Sequence, residues 1–268
     1  MQELGKKISI VIPVKNGQEF IRSSVESVIN QTYTDWELII VNDGSTDASV
    51  DIISEYLDDP RVRIVNIPHS SGVADVLNFG IKNSTGQFFA RLDCDDIWVD
   101  KNKLQMQVDF LEANPSFSIV GTWAVAGYSP EELVYNFHHP LSNLEIRNQF
   151  VYRNLFVSSS IMSRMNSVKQ IGGYHSEDLL AEDYGLVFRL LNLGDGANLD
   201  IEAVWYRLNK TGISHNKYAH QVVSAYNVVR KLGAKYPHYK SGIIKWWLHC
   251  LIAKTFGQKL AIAIKKSL

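Results

Sequence analysis

Short apolar runs alternate with amphipathic stretches through the first 121 residues, a pattern that predicts an α/β fold, a parallel sheet joined by crossover helices. Ile8–Val14 reads as a first strand. Residues 18–30 follow as a helix with an apolar stripe through Phe20, Ile21, Val25, Val28 and Ile29. A second strand is predicted over 37–41, then a turn, Asn42-Asp43-Gly44-Ser45-Thr46-Asp47, in which Asp47 is placed to cap a helix over 48–57. A strand over 62–65, a helix over Val73–Lys82 and a strand over 87–92 come next. A helix over 101–113, closed by Asn114-Pro115, leads to a strand over 118–121. This half has the outline of a nucleotide-binding arrangement. The dinucleotide and P-loop fingerprints are both missing, since no GxGxxG follows the first strand and no GK[ST] occurs.

The strand over 87–92 delivers Asp93-Cys94-Asp95-Asp96 at its end. In an open α/β sheet that edge is where ligands bind. Three carboxylates in four positions suit a hard cation such as Mg²⁺ or Mn²⁺, which takes one or two protein carboxylates and fills its remaining positions with water and phosphate. The competing reading is an acidic turn, with Asp96 or Asp100 capping the helix that begins near Lys101.

Composition narrows the class without naming a chemistry. The chain has 268 residues, 46% hydrophobic and 21% charged, enough for one large domain or a domain with an appendage. Cys94 and Cys250 make no disulfide framework or zinc spacing, which fits a reducing cytoplasm. The polar start, Met1 to Lys7, carries no signal-peptide pattern, and no uncharged apolar stretch reaches the roughly 18 residues of a membrane span. The net charge of -1 conceals a division: after Glu202 there is no acidic residue, while twelve of the 27 basic residues lie there. Trp246, Trp247, Leu248, Leu251, Ile252, Phe256, Leu260, Ile262 and Ile264 interleave with them. The tail therefore reads either as a segment lying on an anionic membrane surface or as a helix packed on the domain. Nucleic acid is disfavoured, because no recognition motif accompanies the charge.

Three segments in order carry a resemblance: residues 10–17 (IVIPVKNG), 39–47 (IIVNDGSTD) and 90–96 (ARLDCDD). Together they resemble the family 2 inverting glycosyltransferases of the GT-A, or nucleotide-diphospho-sugar transferase, fold. Similarity continues through Leu77-Asn78-Phe79-Gly80-Ile81, Gln107 to Pro115, Val120-Gly121, Gly172-Gly173-Tyr174, Ala181-Glu182-Asp183-Tyr184 and Trp205-Tyr206-Arg207. It implies a GT-A domain over 1–214, with a donor half to about 121 and an acceptor half over 122–214. Its mostly parallel central sheet would be flanked by helices, and residues 215–268 would form a basic helical extension.

The resemblance also implies roles. Pro13, Val14, Asn16, Glu19 and Asp43 map onto the uracil site of a UDP-sugar, where a carboxylate accepts the imide N–H. Asp43 also reads as an Asx-turn residue that shapes its own loop, and the companion motifs favour the binding role. Arg91 and Asp93 map onto further donor contacts, Asp93 near the ribose, and Asp95 with Asp93 onto the metal, Mn²⁺ or Mg²⁺. Direct displacement at an anomeric carbon also needs a general base, which falls to Asp183, with Glu182 second. Both acids are predicted just before a helix over 184–193, where the dipole favours an ionised carboxylate and where capping is the plainer explanation. Many relatives carry a histidine two residues after Tyr206-Arg207, where this chain has Asn209; His215 is the candidate substitute. His138 and His139 are adjacent on a predicted strand and would face opposite sides.

A cytosolic enzyme of this type with a basic aromatic tail fits a sugar acceptor on a polyprenyl diphosphate at the inner membrane. The resemblance is to enzymes that build bacterial O-antigen or capsule repeat units. The expected reaction moves galactose or glucose from its UDP form to a GlcNAc- or GalNAc-diphospholipid, giving a β linkage. The loops over 123–154 and 175–180 would set acceptor specificity. The alternatives are a sugar-phosphate nucleotidyltransferase, which lacks here its G-x-G-x-R loop, and a non-catalytic membrane-docking GT-A scaffold.

Overall fold

A computed structural model describes residues 6–129, 132–208 and 218–255. Among them is a nine-stranded sheet in the order β3-β2-β1-β4-β8-β6-β9-β5, with β7 on β6. The strands are β1 (Ile8–Val14), β2 (Trp36–Asn42), β3 (Val62–Asn66), β4 (Phe88–Arg91), β5 (Ile97–Trp98), β6 (Phe117–Ser129), β7 (Glu132–Phe137), β8 (Met162–Arg164) and β9 (Asp195–Arg207). β1 to β4 are mutually parallel, and β6 pairs in parallel with β9. β8 inserts antiparallel between β4 and β6, while β5 and β7 run antiparallel on β9 and β6. Six strands thus point one way, so the ends of β1, β2, β4 and β9 open on one edge.

Helices α1 (Ile21–Ile29), α2 (Ser49–Ser54), α3 (Val73–Lys82), α4 (Lys103–Ala113), α5 (Asn143–Gln149), α6 (Met165–Gln170) and α7 (Glu182–Leu193) cover the faces, followed by α8 (Tyr218–Leu232) and α9 (Tyr239–Thr255). β1 shows how a mostly apolar strand serves two cores. Ile8, Ile10, Ile12 and Val14 join the cluster with α1 and α4, and Val11 joins the one with α3 and α7. Gly80 lets α3 approach closely, since a Cβ there would stand 2.4 Å from Val11 Cγ1.

Several boundaries differ from the sequence reading. α1 begins at Ile21 rather than residue 18, because the amides before it bond sideways: Gly17 N–H to Ser49 Oγ at 2.8 Å and Gln18 N–H to Asp47 Oδ2 at 3.0 Å. The helix expected over 48–57 is only Ser49–Ser54, and its N-cap is Ala48; Asp47, one residue earlier, accepts the Ser49 N–H at 3.0 Å. Neither Asp96 nor Asp100 caps α4. Asn102 is its N-cap, and Asp100 instead accepts the Asn102 N–H at 2.7 Å in the turn before it. The strand expected over 118–121 extends over the 13 residues of β6, carried on by pairing with β7 and β9.

The basic extension is largely part of the domain. Ala225, Val228 and Val229 of α8 are buried in the same cluster as Leu186 and Leu190 of α7. From α9, Trp246 donates its indole N–H to Val151 O at 2.9 Å. Residues 209–217, which hold the expected boundary at 214, lie outside the described residues, as do 256–268. No helix among the described residues is long and apolar enough to cross a membrane.

Glu37, near the start of β2, ties the opposite sheet edge together. Its Oε1 accepts from Ser9 Oγ at 2.7 Å, Thr85 N–H at 2.7 Å and Thr85 Oγ1 at 2.8 Å, with Lys7 and Arg63 beside Oε2. Burial alone would raise its pKa, but these donors and the Lys7 charge outweigh burial and hold the carboxyl at about 2. A depressed folded-state pKa stabilises above the unfolded value, and the contribution fades as pH falls from about 4.5 towards 2. After discounting for screening by water, Glu37→Gln is expected to cost on the order of 2 kcal/mol at neutral pH. Urea unfolding of both proteins across pH should show the gap closing in acid.

Candidate active site

Leu92 is the last core residue of the β4 segment, and the chain then turns outward through four residues with unlike surroundings. Asp93 receives the guanidinium fork of buried Arg91, Nε to Oδ1 at 2.8 Å and Nη2 to Oδ2 at 3.2 Å. Cys94 fills space beside Gly17, its carbonyl accepts from Ser24 Oγ at 2.9 Å, and burial pushes its thiol pKa well up. Asp95 is half-buried; burial and the Asp93 charge raise its carboxyl to about 6, against the pull of Arg207 and Arg91.

Asp96 proves to be neither a helix cap nor an open ligand. It is 1% exposed, accepts from Ser159 Oγ at 2.5 Å and from the Arg207 N–H at 2.9 Å, and burial raises its pKa well above the carboxylate range. It is an internal anchor that fastens the acidic turn to the end of β9.

That anchoring brings in Arg207, to which the sequence reading gave no role. β5 pairs with β9 at Ile97 and Trp205, so Arg207 arrives beside the turn and donates from Nε to Asp95 O at 3.0 Å. Its guanidinium lies 4.1 Å from the Phe20 ring centre and 4.4 Å from that of Trp205. Burial lowers its pKa, while Asp95, Asp96 and Glu19 favour its charge. The Trp205-Tyr206-Arg207 segment stood out in the sequence, but only the β5–β9 pairing shows where the cation goes.

The β1 and β2 loops form a second wall. Asn16, in the left-handed region at φ 54°, accepts the Thr46 N–H on its Oδ1 at 2.8 Å, and its own N–H donates to Ser45 Oγ at 3.0 Å. Asp43 donates its N–H to Val14 O at 2.9 Å, and its carboxylate accepts from Lys15 Nζ at 3.0 Å and from Ser70 Oγ. Pro13, in β1, is half-buried and Glu19 on the loop after it is exposed, whereas the Val14 side chain is 2% exposed and belongs to the core, out of reach of a ligand. β1 separates β2 from β4, so Asp43 and Asp93 stand about two strand spacings, roughly 10 Å, apart along the edge.

Glu182 and Asp183 form the first turn of α7, after Leu180 in the left-handed region at φ 62°. Such a conformation in a branched residue stores strain, and strain of this kind clusters at functional sites. Asp183 Oδ2 accepts from Asn154 Nδ2 and Ser158 Oγ, both at 3.1 Å, and Oδ1 from the Tyr184 N–H at 2.8 Å. Glu182 contradicts the expectation of a dipole-stabilised carboxylate. Burial and then the Asp183 charge raise it to about 7, and only Arg91 among the side chains pulls it down. Arg91 thus lies in the field of both Asp93 and Glu182, and its Nη1 is buried without a hydrogen-bond partner.

The two groups of acids share one support. The short turn Ser158–Ser160 places Ser158 on Asp183 and Ser159 on Asp96, while Gln107 of α4 donates to Ser160 O at 2.8 Å. His138 and His139 lie apart from this group in unlike surroundings. His138 stacks on Trp123 at 4.3 Å and meets Glu202 Oε1 at 2.6 Å, whereas burial lowers His139 to about 4. Asn209 and His215 lie outside the described residues.

The model of the glycosyl transferase family 2 matches residues 9–170, more than half of the chain and every acid of the β1, β2 and β4 loops. The chain belongs to glycosyl transferase family 2. Over nearly its whole length it is similar to an Escherichia coli UDP-Glc:alpha-D-GlcNAc-diphosphoundecaprenol beta-1,3-glucosyltransferase, WfaP. The two are 29% identical over 261 residues, covering 94% of this chain and 97% of that one. An uncharacterized glycosyltransferase of Haemophilus influenzae is 28% identical over 253 residues, covering 88% and 76%. Among solved structures, S. aureus TarS 1-349 in complex with UDP-GlcNAc superposes with a TM-score of 0.71 at 16% identity, covering 92% of this chain and 73% of that one. A Pyrobaculum calidifontis mannosyltransferase, in complex with GDP-Man and Mn²⁺, gives 0.69 at 16% identity, covering 97% and 78%. These likenesses carry the GT-A fold.

Among the described residues of this family 2 enzyme there is no cluster of three or more His, Cys, Asp or Glu side chains arranged for a metal. The donor set is nevertheless what Mn²⁺ or Mg²⁺ takes when substrate phosphates complete its shell. Burial and the Asp93 charge raise Asp95 despite Arg207 and Arg91, a situation that a bound cation relieves.

Proposed function

We propose that this glycosyltransferase moves glucose from UDP-glucose to N-acetylglucosamine carried on a polyprenyl diphosphate. Inversion at C1 gives a β linkage, in assembly of an O-antigen or capsule repeat unit at the cytoplasmic face of the inner membrane. The observation that carries this reading is the end-to-end similarity to WfaP, whose name specifies that donor and acceptor. Of the two hexoses that the sequence left open, that similarity favours glucose.

The residues divide the work by position. The β1 and β2 loops, with Pro13, Asn16, Glu19 and the Val14 backbone around Asp43, take the uracil, the carboxylate accepting its imide N–H. Asp93, oriented by Arg91, faces the ribose. Asp95, with Asp93, would hold Mn²⁺ or Mg²⁺, which when bound would supply positive charge beside the donor diphosphate. Arg207 reaches the same turn from β9 and adds a second positive charge on that side. Asp183 takes the proton of the acceptor hydroxyl as its oxygen bonds to C1 and the bond from C1 to the phosphate oxygen breaks, its electron pair leaving with UDP. Asn154 and Ser158 aim that carboxylate from one side. Arg91 sets a buried positive charge in the field of Glu182, the neighbour of that base.

The test is transfer by the purified full chain from radiolabelled UDP-glucose, UDP-galactose and UDP-GlcNAc to a synthetic GlcNAc-diphosphate-lipid with Mn²⁺. UDP-glucose is the expected donor and a β-glucoside the expected product. No transfer from any UDP-sugar, or undiminished transfer by Asp95→Ala, overturns the reading.

A further inference from the structure

Helix α9 is apolar on two opposite sides, a pattern that belongs to buried helices or to helices in contact with lipid. Its inner side is accounted for. Trp246 packs on the main cluster with its ring 6.3 Å from that of Tyr184, and Cys250, Ile252 and Ala253 pack towards α8. Its outer side carries Ile244, Trp247 and Leu248, which are 59%, 54% and 44% exposed, and none of the three joins an apolar cluster among the described residues. Their i, i+3, i+4 spacing makes one row. Exposed Lys240 stands one turn before it, and exposed Lys254 lies near the end of the helix.

Charge selects the occupant. From residue 203 to the end the chain has twelve Lys or Arg and no Asp or Glu. A second copy would set this face against itself in a two-fold contact, lysine towards lysine, with no acid in the segment to answer it. An anionic lipid surface matches both parts of the face. Lysine ammonium groups reach phosphates while their stems lie along the apolar row, and an indole is favoured at the boundary between headgroups and acyl chains.

We propose that the outer face of α9, built on Ile244, Trp247 and Leu248 between Lys240 and Lys254, docks the enzyme on an anionic phospholipid surface. The purpose of docking rests on the lipid-linked acceptor proposed above. Through Trp246 the same helix touches Tyr184, the neighbour of Asp183, so docking holds the proposed base close to the plane in which a diphosphate headgroup lies.

Flotation of the full chain tests this with phosphatidylethanolamine vesicles containing phosphatidylglycerol, against phosphatidylcholine vesicles. The wild type should float with the anionic vesicles alone and be released by high salt. Trp247→Ser with Leu248→Ser, and separately Lys240→Ala with Lys254→Ala, should each weaken partition about tenfold or more. Transfer to a water-soluble short-chain acceptor should be unchanged in both, which separates failed docking from a wrong reading of the reaction. If the serine variant does not fold, Trp247→Phe serves instead, and brominated phosphatidylglycerol should quench the wild-type tryptophan fluorescence more than that of the variant. The proposal is overturned by a wild type that stays unbound to anionic vesicles at low salt, by variants that float equally well, by quenching that Trp247→Phe leaves intact, or by sedimentation showing a dimer that the serine variant dissolves.

Discussion

Asp183→Asn is expected to lower kcat about a thousandfold while leaving UDP affinity within about twofold, because it removes a proton acceptor and little else. The amide is isosteric, and its oxygen still accepts from one of Asn154, Ser158 or the Tyr184 N–H, so the first turn of α7 keeps its place. The companion variant Glu182→Gln separates the two acids. Glu182 is raised to about 7 by burial and by the Asp183 charge, and contributes through that field. Its loss should cost about tenfold in kcat. Single-turnover transfer beside calorimetric UDP titration checks both variants. If Glu182→Gln shows the larger loss and Asp183→Asn turns over normally, the base is Glu182.

Asp95→Ala should reduce transfer by a factor of about a hundred or more and abolish the difference that chelation makes in the wild type. The half-buried Asp95 carboxyl is raised to about 6 beside Asp93, and such a site gains from a bound cation. In the wild type, EDTA should weaken UDP binding and restored Mn²⁺ should recover it; in Asp95→Ala neither addition should matter. Asp96→Asn provides the contrast. Asp96 is an internal anchor between Ser159 and the Arg207 backbone, so its replacement should lower the unfolding midpoint and leave the Mn²⁺ response in place. A chelator-sensitive Asp95→Ala enzyme would refute the assignment.

The donor half was legible because its signals are local. Ile8–Val14 and Val73–Lys82 end where the apolar pattern ends, since each run is bounded by residues that cannot continue it. Helix starts were less legible. Residue 18 opens the expected helix, yet its amide and that of Gly17 go to Asp47 and Ser49 from another loop, which no periodicity records. Strand ends near 118–121 were underestimated for a related reason, because β6 is prolonged by partners more than 60 residues away, at Asp195–Arg207.

In the site, the family resemblance pointed to Asp43, Asp93, Asp95 and the Glu182-Asp183 pair, whereas residue type and spacing alone fitted acidic turns and helix caps as well. What each carboxylate does was not announced. Asp96 and Asp95 are neighbours in sequence, yet one is sealed against Ser159 and the other is half-buried at the edge. Arg207 entered only through the antiparallel pairing of β5 with β9.

The sequence by itself determined the family, the order of the donor-side elements, the acids at the sheet edge and the one-sided charge of the last 66 residues, because these depend on residue types at short spacing. The tertiary structure decided which acids are buried, which carboxylate Arg91 claims, how the turn at Ser158–Ser160 supports two distant acids, and which side of α9 is left outward. Burial and charge interactions depend on distance in space, and residues brought together across a mixed sheet carry no mark of that meeting in their order along the chain.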